Sequence, residues 1–272
     1  MTTLRRVAAC CALAFLWMTP LRAEARNSWT IPGTLRMAIG ISPQSLNPIL
    51  TTTVIETDLA RLCFDGLLAF TTDGTPEPNL ATVVPSFENG GISRDGMTIR
   101  YRLRHGVRWH DGAPFTSRDV AFTWRAIVNP QNNLQNRVGY DQVRSVETPD
   151  AHTVVFHMKR PYSPALDSLM GYAVVLPAHL LAKYPDLNHV DFNGAPVGTG
   201  PFKFERWVRG DRVELEANGA YRRGRPRVGR VIVRFIPDEN TLLVALRTGE
   251  LDAALAVSAN AAAQGRAIGG MR

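Results

Sequence analysis

Between Ile99 and Arg104 the chain alternates residue by residue, with Ile99, Tyr101 and Leu103 on one side and Arg100, Arg102 and Arg104 on the other. A period of two predicts a half-buried strand, here entered through an Asp95-Gly96 turn. His110-Asp111-Gly112-Ala113-Pro114 breaks the alternation, with glycine and proline supplying turn geometry. The period then changes. Thr116-Ser117-Arg118-Asp119 fits a helix start, in which the Thr116 hydroxyl accepts the Asp119 amide and the Asp119 carboxylate reaches back. Phe115 and Val120 occupy the two positions of a hydrophobic staple. Val120, Trp124 and Ile127 share one helical face, and Asn129-Pro130 ends it.

The later part of the chain returns to alternation. Phe202 and Phe204 interleave with Lys203 and Glu205; after a Gly210-Asp211 turn, Val213, Leu215 and Ala217 interleave with Glu214 and Glu216. The run Arg230 to Ile236 predicts a third strand of this meander. Asp238 is placed to cap a helix that Gly249 terminates. Leu251 to Val257 reads as strand-like, and no element is predicted for the Ala- and Gly-rich segment that follows.

Composition adds scale and compartment. The chain has 272 residues, 45% of them hydrophobic, which suffices for a sizeable core and about two domains. Arg5 and Arg6 precede an apolar run from Val7 to Met18, and Ala23-Glu24-Ala25 follows Pro20. A run this short does not span a bilayer and fits a secretory signal peptide over residues 1–25, cleaved after Ala25, with a periplasmic destination. Val7 to Cys10 looks superficially like a lipoprotein box, but such a box follows the apolar run rather than opening it. Cleavage leaves 28 basic against 23 acidic residues, and Cys63 as the remaining cysteine, read as packed. The basic excess gathers in Arg222, Arg223, Arg225, Arg227 and Arg230. Lying between predicted strands in an exported chain, this run reads as a solvated loop rather than a nucleic-acid surface.

Candidate chemistry is sparse. His110-Asp111 would need a nucleophile or a third orienting group to act as a catalytic pair, and none is suggested nearby. The six histidines include no pair one helical turn apart and no His-x-His, so no metal site is expected. Gly198-Thr199-Gly200 invites comparison with phosphate loops. It lacks a third glycine and a following Gly-Lys-Ser/Thr, and Pro201 deletes a donor. The expectation is no catalytic residue, no metal and no cofactor.

Several blocks, taken in order, resemble the family 5 extracellular solute-binding proteins, the oligopeptide and dipeptide receptors of ABC importers. They are Ser45-Leu46-Asn47-Pro48, Phe64-Asp65-Gly66-Leu67-Leu68 with Pro78-Asn79-Leu80-Ala81, Tyr101 to Arg104 with Trp109-His110-Asp111-Gly112, Val197 to Phe202, and Gly249-Glu250-Leu251-Asp252. The resemblance implies an α/β fold: a periplasmic-binding-protein-like type II lobe carrying an inserted α+β domain, with the second lobe largely missing. Carried onto this chain, residues 26–64 and 191–256 form the first lobe, 65–190 the inserted domain, and 257–272 the start of the second lobe. It also implies reversible capture without covalent chemistry. The expected partners are a peptide or other small solute and ABC permease membrane subunits, with no nucleic acid, and the chain is expected to be a monomer. Thr51, Thr52, Thr53 and Val54 would edge the cleft, with Thr199 as a further ligand-binding candidate. A sister receptor for nickel, haem, a sugar or an opine is the alternative on the same scaffold. A secreted hydrolase is the alternative of a different class, and it would need a nucleophile elbow or metal-spaced histidines.

Overall fold

The computed structural model describes residues 30–51, 53–169 and 174–268; residues 1–25, where a signal peptide is expected, Thr52 and the last four residues lie outside the described residues. In chain order the elements are β1 (Thr34–Ile39), α1 (Val54–Cys63), β2 (Leu68–Phe70), β3 (Pro76–Pro78), β4 (Thr98–Arg102), α2 (Ser117–Val128), β5 (Val143–Asp150) and β6 (Thr153–Met158). There follow α3 (Ala165–Ser168), α4 (Ala178–Leu181), β7 (Phe202–Val208), β8 (Arg212–Ala217), β9 (Arg230–Phe235), α5 (Glu239–Arg247), β10 (Ala253–Ala254) and α6 (Ala259–Arg266).

The strands of the described residues make three sheets. The largest has the order β10-β1-β9-β8-β7. In it β1 runs parallel to both β9 and β10, while β7, β8 and β9 form the antiparallel meander read from the sequence. Parallel neighbours need a long crossover. Here the crossover between β1 and β9 contains every element from α1 to β8, including the separate sheets β2-β3 and β4-β6-β5.

Local signals explain most of these elements. Ile99, Tyr101 and Leu103 are buried while Arg100 and Arg102 are exposed, so the alternation of β4 sets its two faces. At the start of α2 the Asp119 carboxylate accepts the Thr116 amide at 2.8 Å, and the staple residues Phe115 and Val120 are both buried. Asp119 does more than close its own helix. Its other oxygen accepts the Ala178 amide at 2.9 Å, which ties the start of α4 to α2. Burial raises the Asp119 carboxyl above its ordinary range even though these two amides favour the charged form.

The buried apolar residues among those described fall into three clusters. One gathers residues between Leu67 and Val175, including Tyr101, Phe115, Val120 and Ile127. A second lies on the large sheet and α1, with Ile39, Leu59, Val213 and Val233, yet also takes Phe122 and Ala126. Helix α2 therefore serves both cores from opposite faces, welding the β4–β6 sheet to the five-stranded one. The third cluster packs α5 and α6 over β1, through Ala38, Leu242, Leu246 and Ala261.

Three expectations need correction. The segment predicted to hold no element forms α6, capped by the Ser258 hydroxyl on the Ala261 amide at 3.2 Å. The strand-like run from Leu251 to Val257 contributes two strand residues, Ala253 and Ala254. The arginine run is not simply solvated. Arg222 and Arg223 both donate to the Asn79 side chain, Arg222 faces Asp65 at 3.8 Å, and Arg230 pairs with Glu214. Glu214, which interleaves with the apolar residues of β8, is 5% exposed and held between Arg212 and Arg230.

Candidate functional site

The Ser45-Leu46-Asn47-Pro48 block builds a turn. Asn47 is fully buried, and its side-chain amide donates to the Asn193 carbonyl oxygen Oδ1 at 2.9 Å. Its own Oδ1 lies 3.3 Å from the Ile49 amide, and its main-chain oxygen accepts the Leu50 amide at 3.0 Å. This pins the chain where it turns toward α1. Thr53 then caps that helix: its hydroxyl accepts the Glu56 amide at 3.2 Å, and the Glu56 carboxylate accepts the Thr53 amide at 3.1 Å. The Thr51 hydroxyl donates to the Pro48 carbonyl at 3.0 Å.

These residues edge a cavity of about 350 Å³. Its floor is apolar, made by Ala60 of α1, Ile127 of α2, Tyr140 and Val174. Ile49 and Leu134 flank it, and the rim carries Thr51, Thr53, Val54, Gln135 and Asn136. Val54 is 77% exposed and stands at the open edge of the cavity. Among the described residues, no side chain lining this cavity is charged. Its chemistry is therefore that of apolar contact with a few neutral hydrogen-bonding groups.

Of the residues expected to bind ligand, Thr51, Thr53 and Val54 meet at this cavity. Thr52 lies outside the described residues. Thr199 is 3% exposed, sits elsewhere and does not line the cavity. The far wall was not anticipated from the sequence. It comes from the segment after α2, where Leu134, Gln135, Asn136 and Tyr140 show no regular period. The available signal was isolated apolar residues set in an Asn- and Gln-rich loop.

The two motifs weighed for catalysis and nucleotide binding form one structural joint. The His110 amide donates to the Gly198 carbonyl at 2.8 Å, and the Gly198 amide donates to His110 Nδ1 at 3.1 Å. Nε2 stands 3.1 Å from the Gly200 carbonyl. Because Nδ1 accepts, Nε2 must carry the proton and donate. Burial pushes the His110 pKa down to about 4, so the ring is neutral near pH 7. Asp111 does not partner His110. It bonds the Ala113 amide at 3.1 Å and His179 Nε2 at 2.7 Å.

The glycines of Gly198-Thr199-Gly200 serve close approach. The Gly200 amide donates to the Cys63 carbonyl at 2.9 Å, and a Cβ added at Gly198 would stand 1.8 Å from that same oxygen. The loop is thus pressed on the end of α1, whose other end carries Thr53 and Val54. Cys63 is buried, and burial pushes its thiol up to about 12, which leaves it unreactive.

A second charged group sits where the Phe64-Asp65-Gly66 block meets the arginine loop. Asn79 donates to Asp65 at 3.2 Å, and the Tyr221 hydroxyl donates to the same oxygen at 3.2 Å. Burial raises the Asp65 carboxyl, against the opposing pull of Arg222. Among the described residues, no group of three or more His, Cys, Asp or Glu is placed to hold a metal ion.

Comparison with known proteins bears on the family and the fold. The sequence matches the family described as bacterial extracellular solute-binding proteins, family 5 Middle, over residues 75–270. A Brucella ovis protein named as a peptide-binding component of an ABC transporter is 36% identical over 232 residues, which is 84% of this chain and 42% of that protein. The solved structure of NikZ from Campylobacter jejuni in complex with Ni(L-His) is 32% identical, with a TM-score of 0.75 over 83% of this chain and 43% of its own. The oligopeptide-binding protein AppA from Bacillus subtilis, solved with a nonapeptide, has a TM-score of 0.80 at 26% identity, over 88% and 46% of the two chains. The chain thus spans under half the length of each of these relatives. Its α/β architecture is that of their periplasmic binding protein type II fold. The chain belongs to the bacterial extracellular solute-binding proteins, family 5.

Proposed function

We propose that this chain serves as a substrate-binding component of an ABC importer, capturing peptides outside the cytoplasmic membrane and presenting them to permease subunits. The observation that carries this reading is the convergence of Thr51, Thr53 and Val54 on one neutral cavity, where the family resemblance puts the edge of the ligand cleft. An extended peptide offers main-chain donors and acceptors for the threonine and amide groups of the rim, with side chains reaching the apolar floor. Capture leaves the peptide bonds intact, a reading supported by a lining in which no described side chain is a carboxylate, imidazole, thiol or amine poised for acid–base or nucleophilic work. Export rests on residues 1–25 as a cleavable signal peptide, removed after Ala25, and N-terminal sequencing of the secreted chain tests it.

Isothermal titration with a mixture of short peptides, followed by mass spectrometry of that mixture, tests the proposal. Saturable heat with every peptide recovered intact supports it, and cleaved products overturn it. A non-peptide solute is the second reading, favoured by the likeness to a protein solved with Ni(L-His). Titration with Ni(L-His) in place of peptides separates the two.

A further inference from the structure

We infer that the cavity at the start of α1 is a selectivity pocket for a single uncharged, apolar side chain of the bound peptide. This rests on the receptor reading and adds to it a constraint on which peptides are held. The floor offers Ala60, Ile127, Tyr140 and Val174, each buried to within a few per cent, so an apolar side chain entering it exchanges water for carbon. A charged one finds no counter-charge among the described lining residues, and burying it unpaired is costly.

Two charged groups that adjoin these residues in the chain are already engaged. The Glu56 carboxylate is buried in the cap of α1 with Thr53. Arg137, beside the far wall, spends its guanidinium on the carbonyls of Ile127 at 2.9 Å, Asn129 at 3.2 Å, Asn132 at 2.5 Å and Leu134 at 3.4 Å. It holds the loop that delivers Leu134 to the cavity and has no reason to leave it for a ligand carboxylate. At about 350 Å³ the space is at the low end for a small-molecule site, suited to one large side chain rather than a whole peptide.

The test is calorimetric titration of the whole chain with alanine-based tetrapeptides carrying Leu, Phe, Lys or Glu at each position in turn. At one position Leu and Phe are expected to bind about ten-fold or more tighter than Lys and Glu. The Val54→Asp variant, which sets a carboxylate on the exposed rim, should narrow the Leu-to-Lys ratio by about ten-fold while leaving Glu disfavoured. An aspartate at the first turn of α1 also suits the helix N-terminus, so this variant should fold. Equal affinities across the panel, or a Val54→Asp ratio unchanged from the parent, overturn the selectivity pocket and leave the receptor reading standing. Failure of every peptide to bind overturns both.

Discussion

His110 and Gly198 hold each other by two hydrogen bonds, amide to carbonyl at 2.8 Å and amide to ring nitrogen at 3.1 Å, across 88 residues of sequence. The bond to Nδ1 exists only while the ring is neutral, because protonation would set a second donor against the Gly198 amide. The folded pKa of about 4 lies below the ordinary value of 6.5, so the unfolded chain binds the proton first. Stability from this joint is therefore complete above about pH 6.5 and is lost as pH falls toward 4. With allowance for partial solvent contact, its size is on the order of 2–3 kcal/mol. His110→Ala should lower stability at pH 7, and the gap between the two proteins should shrink by about that amount as the buffer is taken to pH 4. Urea unfolding of both across that range measures it. Taking the difference cancels Asp65 and Asp119, whose raised carboxyl pKa values act with the opposite sign.

The partner glycine gives a steric prediction. Gly198→Ala sets a methyl 1.8 Å from the Cys63 carbonyl oxygen, a main-chain atom that cannot swing aside. The loop or the end of α1 must shift, at a cost on the order of 3 kcal/mol. Gly219→Ala is the control, since nothing stands within 4 Å of its added carbon. It should be neutral or stabilise by up to about 1 kcal/mol through the unfolded state. Comparable losses in the two variants would show that the close approach is not what requires glycine at 198.

What could be read from the sequence, and what could not, divides by the distance over which residues cooperate. The box at Thr116 and Asp119 and the cap at Asp238, which accepts the Thr241 amide at 2.7 Å, rest on neighbours three positions apart. The alternation of Ile99, Tyr101 and Leu103 is equally local, and all of it was legible. The burial of Glu214 was not, because it depends on Arg230 from the adjacent strand. Nor was the engagement of Arg222 with Asn79, 143 residues away. Thr51, Thr53 and Val54 were reached only through family resemblance, since local pattern assigns them nothing beyond a helix start. The wall carrying Leu134 and Tyr140 has no period, and its shape comes from Arg137 collecting carbonyls. Helix α6 was missed because its alanines and Gly265 give hardly any contrast between faces; what fixes it is the Ser258 cap and the seat of Ala261 against α5.

The edge of the large sheet offers a third test. Arg36 of β1 grips Asp252 with Nη2 at 2.7 Å and Nε at 3.0 Å, while the Arg36 amide donates to the same carboxylate at 2.8 Å. Both side chains are about 15% exposed, so removing the carboxylate takes a charged, bidentate partner from a largely buried guanidinium. Asp252→Ala should cost about 2–4 kcal/mol and speed hydrogen exchange at Ala253 and Ala254 of β10. Glu250→Ala, which removes the exposed contact to Arg234, should change stability by less than about 1 kcal/mol. If the two variants lose the same amount, burial is not what gives the Arg36 pair its weight.

The turn that presents the cavity rim rests on Asn47 and Asn193, which meet at 2.9 Å with Asn47 wholly buried. Asn193 in turn donates to the carbonyls of Leu187 and Asn188 at 2.9 Å each, and its own carbonyl accepts the Leu46 amide at 2.8 Å. Neither asparagine faces the cavity, so each acts on it only through the backbone. Asn47→Ala removes the support of the Ile49 amide and leaves Asn193 Oδ1 without that donor, a loss of about 1–3 kcal/mol. Asn193→Ala costs a similar amount for the mirrored reason. Because each variant already breaks the shared bond, the double variant should lose less than the two single losses added, by about 0.5–2 kcal/mol. Urea unfolding of the four proteins measures that coupling. Strict additivity would mean that the two residues support the turn independently, and the rim at Thr51 and Thr53 would then have to be held by the cap of α1 instead.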